Sequence, residues 1–357
     1  MSLLANLLPF ILPLLPQTDG RYPTADLVFA GDAMMHKAQI EAARTPSGSY
    51  DFGGYFDAIR PYIESADFAA VNFEASLGGK PHTGYPCFSA PDAYALALAD
   101  AGFDLFLLAN NHILDRRDRG LLRTLDLLET LNIPHTGVYR SAQERDSLGA
   151  ALFDVAGYRL GLVNCTYGTN GISASGPATV NYIDLGRIRR EIAGARSQGA
   201  EIVGVCIHWG DEYKLLPNAR QRALADSLTA LGADMIIGGH PHVVQPMEMR
   251  SGPDGRPVLL VYSLGNFVSA MKTADTRGGA LVRVTLGRDS MGRARVESAA
   301  YGLVYVDHPS SPSENFRLLP AHSSSSPRAE TFRRNAERIF SAHNRNVPVD
   351  SLFLNLR

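Results

Sequence analysis

The chain has 357 residues, 45% hydrophobic and 20% charged, with a formal net charge of −2 at pH 7. This is an ordinary globular composition, long enough for a large buried core. A near-neutral chain without a basic stripe lacks the electrostatic footprint of a nucleic-acid binder, and its 3 cysteines, Cys87, Cys165 and Cys206, follow no disulfide or zinc-ribbon spacing.

Leu3 to Leu15 is almost wholly apolar, about the length of a signal-peptide core and short of a bilayer span. No Lys or Arg precedes it, Pro9 and Pro13 interrupt it, and no small-x-small cleavage site follows. Residues 1–24 therefore read either as a leader of an extracytoplasmic or membrane-associated protein, or as an apolar arm packed on a cytoplasmic one. From Ala25 short apolar strands alternate with amphipathic helices. Leu27 to Ala30 is a strand, followed by helical stretches before Arg44 and over Tyr55 to Glu64. Phe68 to Val71 and Asp104 to Leu108 are strands flanking a helix over Asp92 to Ala101, and Leu121, Leu125 and Leu128 mark one face of the next helix. Ala151 to Val155 and Leu160 to Val163, joined through Gly157, read as a hairpin. Ile188 to Ala195 and Arg220 to Leu231 are helices around a strand over Ile202 to Ile207, and Met235 to Ile237 is another strand. Val258 to Tyr262, Ala280 to Leu286 and Arg295 to Val306 follow without intervening helices and read as antiparallel additions. His308 to Arg328 is Ser/Pro-rich and reads as a long loop before a helix over Arg333 to Phe340. The pattern predicts one α/β domain over residues 25–306, built as two face-to-face sheets with helices outside, and an extension over 307–357.

Polar residues follow five of these apolar runs: Gly31-Asp32, Asn72-Phe73-Glu74, Asn110-Asn111-His112, His208-Trp209-Gly210 and Gly239-His240-Pro241-His242. Ligands of an open α/β sheet bind at the C-terminal ends of its strands. Asp, Glu, Asn and His delivered there from separate strands make a metal site, and imidazole with carboxylate suits zinc, iron or manganese. Taken singly, Gly31-Asp32 is also a turn or helix cap and His208 a core histidine satisfied by backbone. Together they are hard to explain as anything but a site. Asp32 and His112 are the catalytic candidates. Trp209 is a candidate substrate platform or a core aromatic; Ser263 and Asn266 are a candidate pocket wall or a turn.

These strings, with Asp115, Glu212-Tyr213 and Tyr262-Ser263-Leu264-Gly265-Asn266-Phe267, resemble the bacterial capsule-synthesis family. Its founding members serve poly-γ-glutamate capsule production, and it is similar in fold to calcineurin-like metallophosphoesterases. The likeness spans about residues 25–306. It implies a four-layer α-β-β-α sandwich of the metallo-dependent phosphatase type holding one or two divalent transition metals. Asp32 matches the opening Asp, Glu74 the acidic residue bridging two metals, and Asn111 a ligand; His208, His240 and His242 complete the set. His112 matches the catalytic acid. One departure matters: the wider pattern has a second His where this chain has Met34, a poor partner for a hard cation, leaving His36 as a candidate replacement.

The function implied is a capsule or polyglutamate biosynthesis protein whose metal site hydrolyses a phosphoester or amide of an anionic polymer or its precursor. The alternative is a non-hydrolytic component of a membrane-associated synthesis or export assembly that binds such a polymer. No nucleic-acid partner is expected.

Overall fold

Alternation within single strands builds the layers. In Ala25–Ala33, Val28 and Ala30 face one apolar cluster while Leu27 and Phe29 face another. In Ile202–His208, Ile202 and Cys206 join that second cluster, and Val203, Val205 and Ile207 a third. Successive side chains leave a strand on opposite faces, so strands apolar on both faces must be covered on both. The middle cluster lies between two sheets. Helices Asp92–Asp100 and Arg117–Thr130 cover the outer face of the first sheet through Tyr94, Leu98, Leu121, Leu125 and Leu128. Leu185–Ser197 and Ala219–Ala230 cover the second through Ile188, Ile192 and Leu228. The result is the expected α-β-β-α arrangement.

The structure, a computed structural model, describes residues 22–311 and 313–356. The apolar run expected as a leader or arm lies, up to residue 21, outside the described residues. No described helix is long and apolar enough to cross a membrane. The first sheet is ordered Arg317–Pro320, Ala294–Asp307, Gly278–Arg288, Ala25–Ala33, Phe68–Asn72, Leu105–Leu107, His135–Thr136, with Asn266–Val268 also paired to Ala25–Ala33. The second is ordered Met247–Ser251, Pro257–Val261, Met235–Gly239, Ile202–His208, Tyr158–Thr166, Ala151–Val155.

Gly278–Arg288 and Ala294–Asp307 are antiparallel additions as expected. The third expected addition is not. Pro257–Val261 runs parallel to Met235–Gly239, with Met235 opposite Leu259, because a preceding edge strand, Met247–Ser251, makes the return in place of a helix. Two further departures lie near the C-terminus. Arg317–Pro320 forms an edge strand inside the expected loop, with Leu318 buried in the first cluster. The following helix spans Pro327–His343, starting on a proline in its first turn, where the missing N–H would have no helical partner anyway.

The parallel strands of both sheets end at one edge. Asp32 lies opposite Asn72 in the first sheet, and Gly239 opposite His208 in the second. The polar strings therefore meet across one cleft.

Candidate metal centre

Close backbone approach brings the strings together. A Cβ on Gly31 would lie 2.0 Å from the Gly265 carbonyl oxygen, and one on Gly239 would lie 2.7 Å from Asp32 Oδ1. Glycine is the residue that leaves room at both points. The next residues turn sharply: His240 and His242 have φ of +100° and +59°, a left-handed backbone that costs a non-glycine residue about 1–3 kcal/mol. Hydrogen bonds hold the turn. The His240 N–H donates to Asp32 Oδ2 (3.2 Å), the Trp209 N–H to the Gly239 carbonyl (3.1 Å) and the Tyr213 N–H to the Pro241 carbonyl (2.8 Å).

Asp32 is fully buried; its Oδ1 accepts from Asn72 Nδ2 at 2.7 Å and its Oδ2 lies 3.2 Å from His242 Nδ1. His208 Nε2 is 2.8 Å from Asn111 Oδ1. Glu74 is the centre of the arrangement. Its Oε1 lies 3.6 Å from His208 Nε2, 3.8 Å from His242 Nε2 and 4.0 Å from His112 Nε2, yet neither of its oxygens has a hydrogen-bond partner, and His240 Nδ1 has none either. Buried carboxylate oxygens without partners are costly, and natural proteins satisfy nearly all of them. Donor atoms of Asp32, Glu74 and His208 lie within 4.8 Å of one another, and so do those of Glu74, His240 and His242. The two groups share Glu74. The orphaned atoms and this donor chemistry fit a divalent transition metal.

The charges agree. Burial, then the Asp32 carboxylate, pushes Glu74 up to about 8. Burial and the neighbouring imidazoles hold His208 down to about 3 and His240 down to about 2, keeping both in the neutral form that ligates metals. Burial opposes the charged form of His242 too, but the Glu74 and Asp32 carboxylates outweigh it and raise this imidazole to about 9. Burial likewise works against ionised Asp32; the His242 contact prevails and holds it below the usual carboxylate range.

His112 sits at the rim of this cluster. Its Nδ1 is 2.7 Å from Asp115 Oδ2, which also accepts the Phe88 N–H at 2.7 Å, and its ring packs edge-on against Phe88. The fold thus brings Asp32, Glu74, Asn111, His112, His208, His240 and His242 into one place. It does not bring His36, whose Nδ1 accepts the Ala270 N–H at 3.3 Å and which joins neither donor group. Met34 is buried in the first apolar cluster.

The expected substrate contacts are corrected by burial. Trp209 is a core aromatic: 1% exposed, it packs in the third cluster and donates to the Tyr262 carbonyl at 2.8 Å. Ser263 is buried and donates to the Val243 carbonyl at 2.9 Å. Asn266, also buried, puts Oδ1 3.1 Å from His242 Nδ1 and donates to the Thr276 carbonyl at 2.9 Å. Both therefore support the histidine turn from behind. The groups that do face the opening are Tyr85, Tyr167 and Tyr213, exposed by 73%, 42% and 54%, and Asn170, whose Oδ1 accepts from Asn111 Nδ2 at 3.2 Å; of these only Tyr213 stands in the sequence strings, and without a role. The available signal was a sixth strand end: Tyr158–Thr166 runs parallel to Ile202–His208, with Thr166 opposite His208.

The chain is similar to known proteins both in sequence and in fold. A family model, Bacterial capsule synthesis protein PGA_cap, matches residues 26–271. The chain is 30% identical over 284 residues to the PGA biosynthesis protein CapA of Bacillus subtilis (strain 168), covering 75% of this chain and 69% of that protein. It is 27% identical over 271 residues to the Capsule biosynthesis protein CapA of Bacillus anthracis, covering 73% of this chain and 63% of that one, so it spans about two thirds of these relatives. Among solved structures it is similar to the calcineurin-like phosphoesterase YfkN from Bacillus subtilis (TM-score 0.50, 13% identity, 89% of this chain and 97% of that one). It is also similar to the Haemophilus influenzae NAD nucleotidase (TM-score 0.50, 14% identity, 94% and 59%). These structural likenesses establish a metallo-dependent phosphatase-like fold. With the family model matched over residues 26–271, the chain belongs to the bacterial capsule synthesis family, PGA_cap.

Proposed function

We propose that this chain is a metal-dependent hydrolase of capsule-polymer metabolism, cleaving a phosphoester or amide in an anionic polymer or its precursor. The observation that carries the reading is Glu74, a buried carboxylate with both oxygens unpartnered and three imidazoles within 4.0 Å. Asp32, Glu74, Asn111, His208, His240 and His242 would hold one or two ions of manganese, zinc or iron, with Glu74 common to both donor groups. Such an ion, when bound, polarises a phosphoryl or carbonyl oxygen and makes water a nucleophile at neutral pH.

The remaining chemistry belongs to the side chains. Asp115 accepts from His112 Nδ1 and orients the ring, so that Nε2, on the Glu74 side, is the atom that hands a proton to the leaving group. Asn72 steadies Asp32 through Oδ1. The Phe88 ring shields one edge of His112 from water. Family membership supports an extracytoplasmic or membrane-associated place of action, which fractionation of the producing cell tests.

A second reading, a non-hydrolytic polymer-binding component, is favoured by Met34, which puts a buried thioether where the wider pattern has a histidine. The hydrolase reading stands ahead of it because each donor group retains a carboxylate and an imidazole without residue 34. The deciding experiment is elemental mass spectrometry of protein purified without chelator, combined with turnover of phosphoester and γ-glutamyl substrates. The hydrolase reading expects bound metal that is lost in His240→Ala, and expects His112→Ala to keep the metal while losing at least about 100-fold in rate. Metal content unchanged in His240→Ala sinks the site assignment. Metal present with no turnover to lose favours the binding protein.

A further inference from the structure

Phosphoryl and acyl transfer build negative charge on an oxygen of the substrate, and a site needs hydrogen-bond donors aimed at it. Arginine and lysine commonly serve. Here, among the described residues, neither makes an ion pair or hydrogen bond with Asp32, Glu74, His112, His208, His240 or His242. Asn72 is turned to Asp32 and Asn266 to His242. The opening itself carries three tyrosines from three loops. Tyr85 and Tyr213 stand off, with ring centroids 6.5 Å from His112 and 6.2 Å from His242. Tyr167 lies closest, 4.5 Å from the His240 ring and stacked at 6.3 Å over His208, and it is the least exposed of the three.

Its backbone is tied to a strand end of the site. The Tyr167 N–H donates to the His208 carbonyl at 2.9 Å, and the preceding Thr166 N–H to the Asn181 carbonyl at 2.9 Å. Three residues on, Asn170 adopts a left-handed φ of +50°, which asparagine tolerates well. Its side chain reaches Asn111 at 3.2 Å and comes within 3.5 Å of His112 Nδ1. The Tyr167–Asn170 loop is thus anchored at both ends to the site itself, and the Tyr167 hydroxyl has a side-chain partner in Asn111, a member of the cluster.

Resting on the hydrolase reading, we propose that Tyr167 is a catalytic residue of this site, its hydroxyl donating a hydrogen bond to the non-bridging oxygen of the substrate on the His208–His240 side. No bond is made or broken at Tyr167; it lowers the energy of the charge that develops there. The loop makes Tyr167 specific to the reacting group, while Tyr85 and Tyr213 lie where the rest of a chain-like substrate would cross the rim.

Orthovanadate, which adopts the geometry of a phosphoryl group in transfer, tests this on manganese-loaded protein by calorimetric titration, with bis(p-nitrophenyl) phosphate turnover measured alongside. Tyr167→Phe keeps the ring over His240 and removes only the hydroxyl. The expected result is metal content equal to wild type, vanadate affinity weakened about tenfold or more, and kcat lowered with KM little changed. Tyr22→Phe, just before the end of Ala25–Ala33 that lies away from Asp32, should leave vanadate affinity at the wild-type value. Wild-type vanadate affinity in Tyr167→Phe overturns the proposal while leaving the hydrolase reading intact. Wild-type protein that holds manganese but takes no vanadate overturns both. A Tyr167→Phe variant that has lost its metal assigns the residue to scaffold and also overturns the proposal.

Discussion

Glu74 and His242 each hold a proton that the unfolded chain would release. Burial and Asp32 set Glu74 at about 8 against an ordinary 4.5, and against opposing burial the carboxylates set His242 at about 9 against an ordinary 6.5. Both folded values are raised, so between about pH 6.5 and 9 the metal-free fold carries more protons than the unfolded chain and loses stability as pH rises. Below about 6.5 the sign reverses. His208 and His240, held near 3 and 2 by burial, stay neutral while their unfolded counterparts charge, and these two outweigh Glu74. Metal-free protein should therefore melt highest near pH 6.5 and progressively lower towards pH 9. Glu74→Gln should flatten most of the alkaline decline. A bound cation displaces both protons, so the gain in melting temperature on adding manganese should grow from pH 6.5 to 9. Differential scanning calorimetry of both forms checks this, and a metal-free protein equally stable at pH 6.5 and 9 would contradict it.

At the scale of the element, the site depends on strand ends that approach closer than side chains allow. Gly31→Ala would drive a methyl group into the Gly265 backbone, 2.0 Å from its oxygen and 3.0 Å from its carbon, and would part the Asp32 N–H from that carbonyl. Overpacking costs about 1–3 kcal/mol where side chains can yield, and a backbone contact yields least. Both stability and metal content should fall. Gly194→Ala, in the Leu185–Ser197 helix with nothing within 4 Å of the added atom, is the control; it should stabilise the fold by about 0.5–1 kcal/mol and leave metal content unchanged. Strand ends of this kind were legible in the sequence because a carboxylate or imidazole directly after a buried apolar run stands out against its surroundings. Asp32, Glu74, His112, His208, His240 and His242 stand out within a few residues of such a run, and Asn111 by its place beside His112. Edge strands were not: Met247–Ser251 and Arg317–Pro320 are partly exposed and carry no continuous apolar run. Nor did chain proximity reveal direction. Trp209 follows His208, yet its side chain packs in the core, and Asn266 meets His242 from the buried side, whereas Tyr167, at the end of a strand read only as half of a hairpin, lies over the imidazoles from the exposed side.

At the scale of the whole molecule, one buried charge ties the C-terminus to the start of the domain. Arg283, 5% exposed, donates from Nε to Asp350 Oδ2 at 3.1 Å, to Ser65 Oγ at 2.6 Å and to the Tyr62 carbonyl at 3.2 Å. Its guanidinium lies 4.5 Å above the Tyr62 ring and also pairs with Asp26 at 3.3 Å. Asp350 in turn accepts the Tyr62 hydroxyl at 2.5 Å and caps the helix Ser351–Leu354 through the Leu352 N–H at 2.8 Å. This is geometry in which removing one partner is worse than removing both, because the survivor remains buried and charged. Asp350→Ala should therefore cost about 3–5 kcal/mol, read as a lowered urea midpoint. Asp350→Asn, whose single amide oxygen can keep either the helix cap or the Tyr62 and Arg283 contacts, should cost less. Asp26 begins the strand that Asp32 nearly ends, so the network stands at the far end of that strand from the metal centre. Folded Asp350→Ala, measured well below its transition, should accordingly bind metal like wild type. A urea midpoint unchanged by Asp350→Ala would mean that Asp26 alone satisfies Arg283 and that the C-terminal segment contributes little. Metal loss in the still-folded variant would instead mean that strain travels the length of Ala25–Ala33 to Asp32, making that strand the mechanical link between the two ends of the molecule.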